Sequence, residues 1–571
     1  MSSSRYVNGN SLTRIPNQLR SSDSLAQEQL NHPLSLTYPV IGPPSYPSCP
    51  GSFVQIDCHL EGSLMEKCAH RETGKWFTNA GRCMFHTSFA YRLATVADWC
   101  VVGRVTIDML PDVALLEIFD YYVNQVQEEE EEDSLKIQAW HTLVHVCRKW
   151  RTIVLGSPCR LDLRLFCTDK TPVKKTLAVW PPLPIVIGQY SQPTQMNNII
   201  VALEHNDRVC QIDLLGVTNP QLEEFLAAMQ RPFPALTDLA IWLGDWRKDG
   251  LLEDEMPPVV TKSFLGGSAP RLQYLQLEHV PFPGLPKLLL SATGLVSLYI
   301  WNIPHSGYFS PEAMVRSLSM LTRLETLSLG FKSPLSHPVR ESRRLYLPTR
   351  YILIALTYFG FKGVSEYLED LVAQIDAPLL DRFDIRFFHQ LIFDTPQLAQ
   401  FITRAPNIQP PAEVRIVFSD RYIEVTSPRT FPRKFVLGIR CRQSDWQLSS
   451  LSQICSSSFP EAFIPMVEHL YICEGKYWQP RWQDDIEDSQ WLEVLHPFSA
   501  VKYLYLSREF ALRIAPALQE LGEVLPSLQN LFLEDLHPSG PVDGAIGKFG
   551  AARQLTSHPI AVSNWDGKQD E

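Results

Sequence analysis

Three cysteine–histidine pairs fall within one stretch of the chain: Cys58-His59, Cys68-x-His70 and Cys83-x-x-His86. Thiolate and imidazole groups bind zinc, but tetrahedral zinc sites show tighter, paired spacing, and only the last pair comes close to it. They read as unrelated thiols and imidazoles, and no metal is expected. The chain has no Gly-rich phosphate loop, no HExxH and no G-x-S-x-G elbow, each of which would place a reactive group at a defined turn or helix. Its scattered Ser, His and Asp residues do not assemble into a triad. The expectation is a protein without catalytic residues or cofactors, whose chemistry is recognition.

Composition agrees. The 571 residues carry 51 Lys and Arg against 62 Asp and Glu, a net charge of −11, so attraction to nucleic acid or anionic lipid is not expected. Apolar residues make up 45%, enough for extensive burial. Twelve cysteines in a chain this long are too sparse for a disulfide framework, and Cys147, Cys159, Cys167, Cys210, Cys441, Cys455 and Cys473 lack paired spacing. The first residues are polar, no Asn-x-Ser/Thr site occurs, and the most apolar charge-free run, Leu288 to Trp301, is shorter than the ~20 residues a bilayer requires. These features point to a location in the cytoplasm or nucleus and away from membranes.

Recognition needs elements that present it. Residues 1–105 show no sustained period and read as a largely disordered or poorly specified extension. From Asp108 the pattern turns helical. Pro111 suits a first helical position, and Leu115, Ile118, Phe119 and Tyr122 follow at helical spacing. The run Gln127 to Asp133 reads as a solvated loop, because adjacent like charges repel and bury nothing. A second helix is predicted from about Lys136 to Val154, with Leu143, Val146, Trp150 and Ile153 on one side and Gly156 and Pro158 as its stop.

Residues 166–200 read as a linker. Beyond them a short phrase recurs, an apolar residue followed by apolar residues three and five positions later. It appears as Val209/Ile212/Leu214, Leu236/Leu239/Ile241, Leu272/Leu275/Leu277, Leu295/Leu298/Ile300 and Leu324/Leu327/Leu329, then Leu380/Phe383/Ile385, Val467/Leu470/Ile472, Val501/Leu504/Leu506 and Leu528/Leu531/Leu533. Two wide gaps imply degenerate copies, one of them near Val414 to Phe418. Asn219-Pro220, Ser310-Pro311 and Thr395-Pro396 open helices between the phrases, where a side-chain oxygen caps free N–H groups and proline sets the first φ. Strand, loop, capped helix, loop is a parallel β–α solenoid, predicted over 201–540 and followed by a disordered tail at 541–571. Within each strand the middle residue faces outward: Gln276, Tyr299, Ser328, Tyr471, Tyr505 and Phe532. Of these, Tyr299, Tyr471 and Tyr505 are the candidate target contacts, since large rings concentrate binding energy.

Two resemblances follow. The array resembles leucine-rich repeats, although repeat lengths vary and the usual Asn or Cys after the strand is replaced by Gly244, Val280, Ile303, Lys332, Gly475 or Leu536. An irregular horseshoe is the expectation, with its turns satisfied by backbone or water. Leu110-Pro111, Leu115, Ile118 and Phe119, with Val146-Cys147-Arg148-Lys149-Trp150-Arg151, resemble an F-box at 106–165, and the flanking residues look like F-box proteins of mushroom-forming fungi. The acidic run between the two halves departs from that pattern. The resemblance implies a substrate receptor of an SCF ubiquitin ligase. Its Skp-type adaptor, and through that a cullin–RING scaffold, would contact Leu110, Pro111, Leu115, Ile118, Phe119, Leu143, Val146 and Trp150, while the repeats hold an unknown protein target. A scaffold that uses the same module without degradation is the rival expectation. The predicted fold class is thus α/β: a small helical module followed by an irregular β–α solenoid.

Overall fold

The recurring leucine phrase folds into strands stacked side by side, because its two inward residues need a core that each repeat can supply only together with its neighbours. The computed structural model describes residues 109–129, 139–189, 196–244, 256–334, 350–388, 393–427, 434–441, 443, 446–461, 463–475, 488–520, 525–534, 541–555 and 559–565. All of them lie in the compact unit Thr106–Glu571. The segment 1–105, with the Cys58–His86 cysteine–histidine pairs, lies outside the described residues.

The strands are β1 (Leu165–Cys167), β2 (Ile185–Gln189), β3 (Val209–Val217), β4 (Asp238–Leu243), β5 (Tyr274–Glu278), β6 (Ser297–Ile303), β7 (Thr326–Phe331), β8 (Tyr351–Ile352), β9 (Tyr358–Gly363), β10 (Ile375–Asp376), β11 (Arg382–Phe387), β12 (Glu413–Ser419), β13 (Tyr422–Thr426), β14 (Phe435–Arg440), β15 (His469–Glu474), β16 (Tyr503–Leu506), β17 (Asn530–Glu534) and β18 (Ala561–Trp565). Sixteen of them form one sheet in the order β1-β2-β3-β4-β5-β6-β7-β9-β11-β14-β13-β12-β15-β16-β17-β18, and β8 and β10 pair separately. The helices are α1 (Asp112–Glu129), α2 (Ala139–Val146), α3 (Arg148–Gly156), α4 (Val173–Val179), α5 (Met196–Leu203), α6 (Asn219–Ala228), α7 (Leu285–Leu289), α8 (Pro311–Leu318), α9 (Ser365–Val372), α10 (Pro396–Thr403), α11 (Gln447–Ser457), α12 (Asp488–Leu495), α13 (Arg508–Glu520) and α14 (Pro541–Leu555). One continuous apolar core runs from Leu115 in α1 to Phe549 in α14.

Every pairing in the large sheet is parallel except those of β13, which runs antiparallel to both β12 and β14. After α10 the chain skips two positions along the sheet to form β12, turns back through β13 and fills the place beside β11 with β14. This three-strand meander occupies the wide gap left by the sequence phrase, and β12 covers the stretch singled out there. Strand β9 fills the other gap with Leu356, Phe359 and Phe361, an aromatic version of the same spacing.

Several sequence expectations change. The supposed linker at 166–200 holds most of β1 together with α4, β2 and α5, and the supposed disordered tail holds α14 and β18. The acidic run does not begin as a loop, since α1 continues to Glu129. The single helix predicted from Lys136 to Val154 is two. Cys147 adopts extended backbone between α2 and α3, and its Sγ accepts the Trp150 N–H, so it ends one helix and caps the next.

Helix starts differ in detail as well. Ser310 caps α8 as expected, its hydroxyl accepting from the Ala313 N–H at 3.3 Å. At α6 the cap is Thr218, one residue earlier than predicted, with Gln221 Oε1 accepting the Thr218 N–H at 2.9 Å. At α10 the Thr395 hydroxyl instead pairs with Ser458 Oγ at 2.6 Å. The buried Glu369 carboxylate of α9 accepts the Gln397 and Leu398 N–H groups, each at 2.9 Å. A charge borrowed from the previous repeat caps the helix, and the helix N-terminus in turn solvates that charge.

Backbone closes the turns where a buried Asn or Cys was missing. The Gly244 N–H donates to Val217 O at 2.8 Å, Lys332 to Ile303 O at 2.9 Å and Gly475 to Phe418 O at 2.7 Å.

Candidate functional site

Two surfaces are candidates, the helical module and the face of the sheet that α4–α14 leave open. In the module, α1 presents opposite stripes. Leu115, Phe119 and Val123 point into the core, where Phe119 packs on Trp150 with ring centroids 4.7 Å apart. Leu143 and Val144 of α2 join them. Trp140 Nε1 donates to Arg164 O at 3.3 Å, and its ring meets Trp180 edge-on at 5.1 Å, so the module is continuous with the first strands. Lys149 Nζ donates to Leu110 O at 3.0 Å, bringing the start of α1 to the α2–α3 junction. Glu117 pairs with Arg160 beyond α3.

The eight residues expected to meet an adaptor therefore separate. Leu115 and Phe119 are 0% exposed and Leu143 is 6% exposed, so these three are core residues, a correction to the sequence reading. An inward turn of α1 against α2 and α3 lets their apolar area be covered within the chain. Leu110, Ile118 and Trp150 are half-buried, and Pro111 is exposed. Val146 is 47% exposed, and two neighbouring apolar side chains that were not among the eight are more open still: Met109 at 66% and Val113 at 65%. Only Val113's phase, two residues ahead of Leu115 on the helix, could have signalled it.

On the open face, Tyr299, Tyr471 and Tyr505 all point outward and are half-buried, as alternation predicted. The structure does not bring all three together. Tyr471 and Tyr505 stack at 4.1 Å and 9°, and Phe532 continues the ladder at 4.5 Å and 7°. Trp565 stands edge-on to Tyr505 at 5.6 Å. His469 and Tyr503 stack in parallel below them at 4.3 Å. Their ring faces are occupied by one another, which leaves edges and hydroxyls for a ligand. Tyr299 sits seven strands away, roughly 34 Å at 4.8 Å per strand.

Tyr299 belongs instead to the central part of the face. There Glu278, His279, Asn302 and Lys362 form a polar chain: Asn302 Nδ2 donates to Glu278 Oε1 at 2.9 Å and lies 3.2 Å from His279 Nε2, while Lys362 Nζ donates to Asn302 Oδ1 at 2.9 Å. His279 and Asn302 both hold left-handed backbone, φ 59° and 53°, a conformation that costs a non-glycine residue energy and marks a constrained turn. Burial pushes the His279 imidazole down to about 4, helped by Lys332 and Lys362, so it is neutral at pH 7. Burial also raises the Glu278 carboxyl, against the pull of Asn302 and Lys362. Sequence reasoning missed this cluster because β9, which carries Lys362, was not among the recognised repeats.

At the other side of β5 an open cavity of about 360 Å³ is lined by Asp213, Asp238, Trp242, Tyr274 and Gln276. Among the described residues no group of His, Cys, Asp and Glu could hold a metal ion. The seven cysteines among the described residues are free, with Cys167, Cys441, Cys455 and Cys473 buried. Burial raises the thiols of Cys167 and Cys441 to about 11 and that of Cys455 to about 12, so none of these three is a thiolate nucleophile at neutral pH. No described helix is long and apolar enough to cross a membrane.

No protein-family model and no curated protein matches the chain. Among solved structures it is similar to the leucine-rich repeat-containing protein LegL7 from Legionella pneumophila, with 13% sequence identity and a TM-score of 0.26, over 68% of this chain and 98% of that one.

Proposed function

We propose that the chain is a non-catalytic receptor that docks through α1–α3 on the Skp-type adaptor of an SCF ubiquitin ligase and holds a protein target on the open face of its array. The observation that carries this reading is the exposure of Val113 and Val146, on helices whose opposite sides are in the core, and of Met109 just before α1. Grouped apolar side chains left in water mark a surface that a partner covers. Covering these three contributes on the order of 4–9 kcal/mol gross, before the cost of association is subtracted. The contribution of the receptor is proximity: ubiquitin transfer happens elsewhere in the assembly, and the array raises the effective concentration of target lysines near it.

A second reading has its own support. The burial of Leu115, Phe119 and Leu143, and the tie from Trp140 to Arg164, suit three helices that close the end of the array in a scaffold without degradative output. Co-purification with a Skp-type adaptor separates the two. Retention by the natural chain, lost in a Val113→Asp/Val146→Asp variant of unchanged melting temperature, supports docking. A natural chain that retains no adaptor overturns docking and leaves the helices as a cap.

A further inference from the structure

Between β3 and β5 the open face drops into the cavity of about 360 Å³. Ala240, the middle residue of β4, lies at its floor. Along that strand Ala240 stands between Asp238 and Trp242, and across the sheet it is in register with Asp213 on β3 and Gln276 on β5. All four neighbours share its face and are larger, so one short side chain among long ones makes the depression.

The charge around this floor has one sign. Asp213 and Asp238 both line the cavity, and none of its described lining residues is basic. Asp238 accepts the Thr237 hydroxyl at 2.5 Å and forms no ion pair among the described residues. Arg164 acts on Asp238 from the β1 side, but its guanidinium is held by the Asp162 carboxylate at 2.8 and 3.0 Å. Glu278, in register with Trp242, adds another carboxylate nearby, one that accepts from Asn302.

The remaining walls are aromatic. The Tyr274 hydroxyl donates to Gln276 Oε1, and its ring packs on Tyr299 at 5.7 Å, so this wall runs on into the Tyr299 surface. Opposite in polarity to the carboxylates, Trp242 Nε1 is a buried donor with no acceptor among the described residues. Buried donors are almost always paired, so the chain by itself leaves this corner of the face incomplete.

We propose that this cavity receives a basic side chain, arginine or lysine, from a segment of the bound target, an assignment that rests on reading the open face as the target-holding surface. The cationic head meets the carboxylates of Asp213 and Asp238, and its methylene stem lies against Trp242 and Tyr274. Carboxylates and aromatic faces attract the same cation together. An acidic side chain, a phosphate or a nucleic-acid backbone is repelled from the spot. A metal ion does not suit it, since among the described residues no group of His, Cys, Asp and Glu could hold one.

The test uses the full chain without any adaptor, so it is independent of the docking reading. Four pools of synthetic peptides, randomised except for a central Arg, Lys, Gln or Glu, are captured on immobilised protein, with spermidine as a small-amine competitor. The Arg and Lys pools are expected to be enriched over the Gln and Glu pools, and their binding to weaken as salt is raised. The best member should bind at least about tenfold more weakly to Asp238→Asn. It should also lose affinity for Ala240→Leu, which fills the floor without changing charge. Affinity for Glu413→Gln, on β12 far along the same face, should not change. Asp238 and Ala240 are both half-buried on the open face, and Asp238→Asn reports on binding even if Ala240→Leu folds poorly. Preference for the Gln or Glu pool, full affinity in Asp238→Asn, or displacement of the peptide by equimolar spermidine each overturns the inference and leaves the open-face reading standing. Capture of no pool overturns both.

Discussion

The helical module and the repeat array use the same alphabet of leucine, isoleucine and phenylalanine but treat it differently. In the array each leucine phrase sends its apolar residues into the core and its middle residue onto the open face: Leu327 and Leu329 are buried, and so are Leu504 and Leu506, while Tyr505 is half-buried on the other side. In and just before α1 the same kinds of residue divide between two sides, Leu115 and Phe119 inward, Met109 and Val113 outward. Period 2 in a strand assigns faces unambiguously once one face is covered. Period 3.6 in a short helix does not, because neighbouring helices decide which stripe they cover.

The sharpest way to break this comparison is to cut into the inward stripe. Phe119→Ala leaves a cavity beneath Trp150 and is expected to cost about 3–5 kcal/mol, as Phe361→Ala in the array should. Urea denaturation checks both, and a cost below about 1 kcal/mol for Phe119→Ala would return that side chain to the docking surface.

Glu369→Gln tests whether repeats are stitched by shared charge. Replacing the carboxylate that caps α10 removes two charge-assisted hydrogen bonds and should cost about 2–3 kcal/mol. Exchange of the Gln397 and Leu398 amides should speed up accordingly.

The central turn predicts a pH dependence. His279 has an ordinary value of 6.5 and about 4 in the folded chain, so the unfolded chain binds the proton first as pH falls. Its contribution is present in full above pH 6.5 and is lost as pH drops toward 4, on the order of 2–3 kcal/mol in all. His279→Asn, which tolerates left-handed backbone, should remove that component. The difference between the two chains' denaturation midpoints at pH 7 and pH 4.5 measures it, and no change in that difference would contradict a neutral buried imidazole.

The smallest expected effect on stability completes the set. Val113→Asp and Val146→Asp should each change unfolding free energy by less than about 0.5 kcal/mol, because both side chains already face water. A large loss in either would place that residue with the core.

Residue order alone determined the β–α alternation, the inward and outward assignment along each recognised strand, and the caps at Ser310 and, within one residue, at Thr218. These are local matters of period and hydrogen-bond valence. Tertiary structure decided the rest. The meander β12–β13–β14 depends on which strand edge is vacant, the cap of α10 on a carboxylate 28 residues away, and the split at Cys147 on the packing of Trp150 against Phe119. The faces of α1, and the meeting of Lys362 with Asn302 across an intervening glycine, required partners distant in sequence. Local pattern records what a residue prefers, whereas burial and charge balance depend on what the rest of the chain brings beside it.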